Sequence, residues 1–295
     1  MKNNSTILQF LASVGQPYEE RFLKPLWNRY PAHESNDWDA LIIFLSGYAF
    51  ARQGAPNDFP HAACDAIEQV RQSYTKPTDH SSASALWTAF SDLLNNSNLN
   101  YANNPLCPEG TNYQRKFKGT SKTAKTSRLS VTEFLGTLAL ESRTINILVY
   151  AKENLQRDNL RQAYQALCGI NGIGGKIASL FLRDAAIFYH ICPQKERHLL
   201  QPVDVWVRNM SAQLMGVPAS DEEIARWIVQ EAARNGVNAE AVNEGMWYFG
   251  SQVSRSQYRV SCALSNPEYA RELLDEHVED LRSASLAWDQ ILAGL

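Results

Sequence analysis

The chain has 295 residues, 44% hydrophobic and 20% charged, with a net charge of −3 at neutral pH. That length supports one large or two medium domains with a real core, and the composition excludes a disordered or fibrous protein. The negative balance argues against a bulk electrostatic nucleic-acid binder but leaves room for a local basic groove.

Residues 5–14 and 17–30 read as two short helices, with Pro31 as a stop. The first carries an apolar run from Ile7 to Val14, broken by Gln9 and Ser13, which does not make a signal peptide. Asn36-Asp37 caps a strong helix with Trp38, Leu41, Ile42, Leu45 and Tyr48 on one face; Gly54 and Pro56 end it. Helices are expected over 59–74 and 83–94, and Asn95 to Asn112 reads as a loop. Tyr113 to Arg128 follows, with Arg115, Lys116, Lys118, Lys122, Lys125 and Arg128 and no acid. Each cation that meets a phosphate releases counterions, so this run reads as a DNA-strand contact; a solvated loop is the alternative. Val131 to Tyr150 reads as one apolar helix, and 153–167 as the first helix of the unit that follows.

The stretch from Cys168 to Arg208 carries the chemistry. Gly-Ile-Asn-Gly-Ile-Gly-Gly, residues 169–175, has four glycines in seven positions. Glycine permits positive φ and close approach of another backbone. Ile177, Leu180, Phe181 and Ile187 then fall at helical intervals. The unit is helix, tight hairpin, helix, and the amides opening the second helix suit a phosphate oxygen. That grips a nucleic-acid backbone without reading sequence. Lys176 sits in the first turn of this helix, where the helix end disfavours its charge. Partial burial would act in the same direction, and a neutral amine is a nucleophile. Residues 188–201 form a connection. Asp204, after Pro202, is the expected N-cap of the next helix, where a carboxylate accepts backbone N–H bonds and stays ionised. Taken singly, Lys176 also suits a phosphate contact and Asp204 an ordinary helix cap.

After Asp204, Ser220 to Glu223 is a capping-box pattern ahead of Ile224, Trp227 and Ile228, and Asn238 caps the next helix. In that helix Asn243 and Trp247 lie one turn apart on one face. Asn266-Pro267 opens a last, acidic helix. The whole reads as all-α. Five cysteines make no CxxC pair, His190, Cys192 and His198 match no common zinc spacing, and no segment approaches a membrane span. The expectation is a cytoplasmic, nucleoid-associated protein with no metal site.

The ordered set Gly172-Ile173-Gly174, Lys176 and Val203-Asp204 resembles the helix-hairpin-helix DNA glycosylases, the group of endonuclease III and the 8-oxoguanine glycosylases. The long interval between Lys176 and Asp204 is closest to the archaeal 8-oxoguanine subfamily. The resemblance is strong over about forty residues and weaker outside them. It implies two helical lobes with the active site in the cleft between them. One lobe would be a helical barrel over 36–190, including the hairpin unit over 153–190; the other would take 1–35 and 191–295. It implies excision of a modified base, most simply 8-oxoguanine, with Lys176 and Asp204 catalytic and β-lyase activity through a lysine Schiff base. An oxidised pyrimidine or a bulky modified cytosine are alternative bases, and a non-catalytic DNA-binding protein is an alternative of another class.

By the same resemblance Gly172, Gly174 and Gly175 contact DNA beside Arg115, Lys116, Lys118 and Lys122. Arg52 and Gln53 stand at the end of the helix that opens the barrel, where they would contact DNA or fill the gap left by a flipped base; plain surface residues are the alternative. Asn243 and Trp247 match an Asp-x-x-x-Trp base pocket in which the acid bonds the base and the tryptophan stacks on it. Asparagine departs from aspartate there, since it donates as well as accepts, and core packing is the alternative role for Trp247. Glycine at 245 would leave room for a larger base. Some relatives carry an iron–sulfur cluster, but only Cys262 lies in that region, so no cluster and no other cofactor is expected. The resemblance allows a monovalent cation at the hairpin carbonyls. The partner is duplex DNA with a flipped base, and the protein is expected to act as a monomer.

Overall fold

A computed structural model of the chain describes residues 4–51, 56–78, 80–94, 104–106, 128–141 and 144–293. In chain order the helices are α1 (Asn4–Tyr18), α2 (Lys24–Asn28), α3 (Asp37–Phe44), α4 (Phe59–Val70) and α5 (His80–Leu93). Next come α6 (Val131–Glu141), α7 (Ile147–Gln156), α8 (Leu160–Cys168) and α9 (Gly175–Phe188). The last are α10 (Val205–Met215), α11 (Asp221–Arg234), α12 (Ala239–Tyr248), α13 (Gln257–Ser265) and α14 (Pro267–Ala293). Among the described residues no strand forms, and the one extended pairing is an isolated parallel bridge between Leu129 and Ile170. The chain is all-α to that extent. None of the described helices is long and apolar enough to cross a membrane.

The largest departures from the expected helices are at three places, besides α4, which ends at Val70, and α5, which starts at His80. The break before Pro17 is absent: α1 runs through it to Tyr18, followed by a π-helical turn over Glu19–Leu23. Packing against α12 overrides the local preference of Gly15 and Pro17. The single helix over 131–150 is two, because Asn146 caps α7. Its Oδ1 accepts from Leu148 N and Val149 N at 3.0 Å, and its Nδ2 donates to His33 O at 2.7 Å. The helix expected over 153–167 is also divided. Asp158 lies between α7 and α8 at φ 59°, and its Oδ1 accepts from Gln194 N and Lys195 N.

The chain forms two compact units, residues 23–200 and residues 1–22 with 201–295. The divisions therefore fall at 22/23 and 200/201, not at 35/36 and 190/191. Trp27 ties the first displaced segment to the larger unit. Its ring centroid lies 4.6 Å from that of Phe188, and its Nε1 donates to Tyr48 Oη at 2.8 Å. The second displaced segment is held by Asp158 and by an ion pair from Arg161 to Glu196 at 2.5 Å.

Helix α3 is the axis of the 23–200 unit. Every residue from Trp38 to Phe44 is buried, so this helix has no solvent face. Beside it a polar chain crosses the core. Tyr48 Oη donates to Asp184 Oδ2 at 3.1 Å, and Arg183 Nε and Nη2 donate to Asp184 Oδ1 at 3.0 and 2.8 Å. Arg183 and Asp184 are almost fully buried, which is tolerable because each charge is paired and hydrogen-bonded.

In the other unit α1 packs directly on α12. A Cβ at Gly15 would lie 2.5 Å from Ala241 O, and one at Gly245 only 1.7 Å from Leu11 O. The glycines let the two backbones touch. The capping box expected at Ser220 is present, with Glu223 answering it. Tyr248 Oη accepts from Arg21 Nη1 at 2.7 Å and lies 3.1 Å from Nε2 of the buried His277. Burial, then the charges of Arg21 and Arg255, push the His277 pKa below its ordinary value of 6.5, against the upward pull of Asp280. The unfolded chain thus binds this proton more readily than the folded one. The stabilising contribution is complete above the ordinary value and is lost as pH falls through the depressed one. The thermal midpoint should decline as pH falls below the ordinary histidine value of 6.5, and less steeply in His277→Gln than in the wild type.

Candidate active site

The site region of the 23–200 unit is built on the turn between α8 and α9. Ile170 and Ile173 are fully buried and fix the turn to the core, while Gly172 supplies a φ of 76° that a side chain would resist. A Cβ at Gly175 would sit 2.2 Å from Tyr164 Oη, so α9 starts hard against α8 and a larger residue there would have to displace the Tyr164 side chain. The turn is also held from outside. Leu129 N donates to Gly169 O at 3.0 Å and Asn171 N to Leu129 O at 2.8 Å. The side chain of Asn171 donates to Asn104 O at 3.0 Å.

Gly174 is the N-cap of α9, and no side chain caps this end. The first bonds of the helix run from Ile177 N and Ala178 N to Gly174 O, both 3.0 Å. The amides of Gly175 and Lys176 precede them, at the positive end of the helix dipole. Lys176 is exposed rather than partly buried, so it extends into solvent from an uncapped helix start. That arrangement can receive an anion at the backbone and present an amine beside it.

Asp204 belongs to the other unit. It is the N-cap of α10, and its Oδ1 alone accepts from Trp206 N and Val207 N, both at 2.9 Å. Oδ2 is left for a further partner. The segment leading into the cap is pinned by α12. Gln201 Nε2 donates to Glu240 Oε1 at 3.0 Å, and Asn243 Nδ2 donates to Pro202 O at 3.2 Å. Asn243 is fully buried. An aspartate there would set a carboxylate oxygen against the Pro202 carbonyl, whereas asparagine supplies the donor that the position uses. Gln201 was not singled out from sequence; its partner is 39 residues away, and no local pattern marks it.

The two roles of Asp204 separate in substitution. Asp204→Asn retains an oxygen for the cap and should melt close to the wild type. Asp204→Ala should lose about 1 kcal/mol. Comparison of thermal melts, followed by activity of the asparagine variant, distinguishes capping from chemistry.

Trp247 is half-buried within an aromatic group of the same unit. It meets Tyr18 and Phe22 edge to face, each at 5.5 Å between centroids, and those two rings stack on each other at 5.8 Å. Phe22 is 38% exposed, and the Arg21 guanidinium lies over it at 5.9 Å. Tyr18 and Phe22 were missed from sequence because they sit in α1 and its extension, far from Trp247 in the chain. The space that Gly245 offers is taken up by Leu11, so it gives no room for a larger base.

Gln53, Arg52, Arg115, Lys116, Lys118, Lys122 and Lys125 lie outside the described residues; Arg128 is within them. Cys64, Cys168, Cys192 and Cys262 are free thiols. Among the described residues no three or more histidines, cysteines or acids group as metal ligands. Comparison with family models, with curated proteins and with solved structures returned no match to this chain.

Proposed function

We propose that the chain is a DNA base-excision glycosylase with β-lyase activity, acting on duplex DNA with a flipped modified base. The observation that carries this reading is the exposed amine of Lys176 beside the uncapped amides of α9, on a turn in which Gly172 takes a φ of 76°. The α8–turn–α9 unit is read as a helix-hairpin-helix. Its amides receive a phosphate and its lysine reaches the sugar.

In this reading Lys176 loses a proton to solvent and its amine attacks the sugar C1′. The N-glycosidic bond breaks, and its electron pair leaves with the base. Loss of the ring oxygen from C1′ gives a Schiff base, and removal of a C2′ proton then expels the 3′ phosphate by β-elimination. By the resemblance, the Asp204 carboxylate, whose Oδ1 makes both cap bonds, would offset through Oδ2 the positive charge that develops on the sugar. Trp247, with Tyr18 and Phe22 behind it, offers a stacking face worth about 1–3 kcal/mol to an unstacked base.

8-Oxoguanine is the first substrate by resemblance. The case for a bulky cytosine is weaker than the sequence alone makes it, because Leu11 fills the space at Gly245. The test is a cleavage panel of duplexes carrying 8-oxoguanine, uracil, an oxidised pyrimidine, glucosylated hydroxymethylcytosine or an abasic site. Cleavage of one base-bearing duplex names the substrate class. Binding of all with cleavage of none favours the second reading, a non-catalytic DNA-binding protein, which the exposure of Lys176 also suits.

A further inference from the structure

The resemblance allows a monovalent cation at the carbonyls of the α8–α9 turn, and four of those carbonyls have donors of the protein's own. Gly169 O accepts from Leu129 N at 3.0 Å, and Ile170 O accepts from Ile173 N at 3.1 Å. Gly174 O accepts from Ile177 N and Ala178 N. Ile173 O accepts from Arg128 Nη1 at 3.5 Å. A metal ion held by carbonyls needs several of these dipoles turned on one point, away from other cations. Here four of the turn's carbonyls are engaged by protein donors, and one of those donors is itself a cation.

The position of Arg128 is not accidental. The parallel bridge of Leu129 to Ile170 clamps the backbone next to it against the turn, with bonds on both sides of Leu129. The guanidinium charge is also felt by the Cys168 thiol at the end of α8. Burial pushes that thiol's pKa up, and Arg128, followed by a hydrogen bond with Tyr164, opposes it. A guanidinium has five N–H donors in a planar fork, and the bond to Ile173 uses one. The remainder suit a phosphate oxygen, singly or in pairs.

We propose that Arg128 is the resident cation of this turn: its guanidinium holds the Ile173 carbonyl and reaches the DNA phosphate received by the Gly175 and Lys176 amides, so that DNA binding needs no monovalent metal ion. The proposal rests on the DNA-binding reading above and sharpens it. A monovalent ion at these four carbonyls would have to share each of them with a protein donor, and at Ile173 with the Arg128 cation.

The experiment is fluorescence anisotropy of the full chain on a duplex with a tetrahydrofuran abasic analogue. It compares potassium chloride with tetramethylammonium chloride at equal ionic strength. Wild-type affinity should agree within about twofold in the two salts. Arg128→Met should bind about tenfold more weakly in tetramethylammonium, as expected for loss of a charge-assisted contact, and recover part of the loss in potassium. Arg128→Lys, which keeps the charge on a stem, should fall between them and serves if the methionine variant melts early. Wild-type binding that collapses when potassium is withdrawn would overturn the proposal and leave the DNA-binding reading standing. So would folded Arg128 variants that bind as the wild type does. Absence of DNA binding by the wild type in both salts would overturn the proposal and the reading together.

Discussion

Lys176→Gln is expected to abolish strand cleavage, by on the order of a thousandfold or more, while leaving the protein folded and bound to DNA. The structural reason is that Lys176 is exposed at the start of α9 and supports nothing in the core. Glutamine is a good helix residue of similar length, so stability should not move measurably. Binding to an abasic-analogue duplex should weaken only modestly, and the salt slope should become shallower by about one charge. If Lys176 merely touched phosphate, cleavage would never have been present, and the affinity loss would be the whole effect. Asp204→Asn is the companion: the cap survives and the charge does not.

Much of this arrangement is legible in the sequence because it is local. Gly172 needs positive φ, Asp204 precedes a helix after a proline, and Ser220 and Glu223 form a box; each is read within a few residues. What escapes is set by partners far along the chain. The bonds from α12 that steady the lead-in to Asp204 come from Glu240 and Asn243, and nothing near Gln201 or Pro202 announces them. Asn243 shows the point well. From sequence it is a departure from an acidic pocket residue. In the structure a donor is required, and asparagine meets that need at the Pro202 carbonyl, two residues before the Asp204 cap. The domain division moved for the same reason, since Trp27 is claimed by Tyr48 and Phe188 rather than by its sequence neighbours.

The second large effect concerns stability. Gly245→Ala should destabilise the protein by roughly 3 kcal/mol, at the upper end for overpacking, because the new methyl would meet a backbone carbonyl rather than a yielding side chain. Its Cβ would fall 1.7 Å from Leu11 O, and only separation of α1 from α12 could make room. Gly15→Ala, where the contact is 2.5 Å from Ala241 O, should do the same to a smaller degree. For a chain of this size such a loss corresponds to a fall of about 6–12 °C in Tm. Gly136, with open space around the missing Cβ and a place inside α6, is the control. Gly136→Ala should be neutral or stabilising by up to about 1 kcal/mol. Calorimetry of the three variants tests whether direct backbone contact of α1 and α12 holds this unit together. A Gly245→Ala protein that melted with the wild type would contradict it.

The central claim is that Lys176 forms a covalent bond to the sugar, and borohydride trapping tests it most directly. The wild type and Lys176→Gln would be mixed with the base-bearing and abasic duplexes in the presence of borohydride, and the adduct mapped by mass spectrometry of the digested protein. The account predicts a cross-linked species with the wild type, its mass addition on the peptide containing Lys176, and none with the variant. An adduct mapped to another amine, or tight DNA binding with no adduct to any duplex, would contradict it.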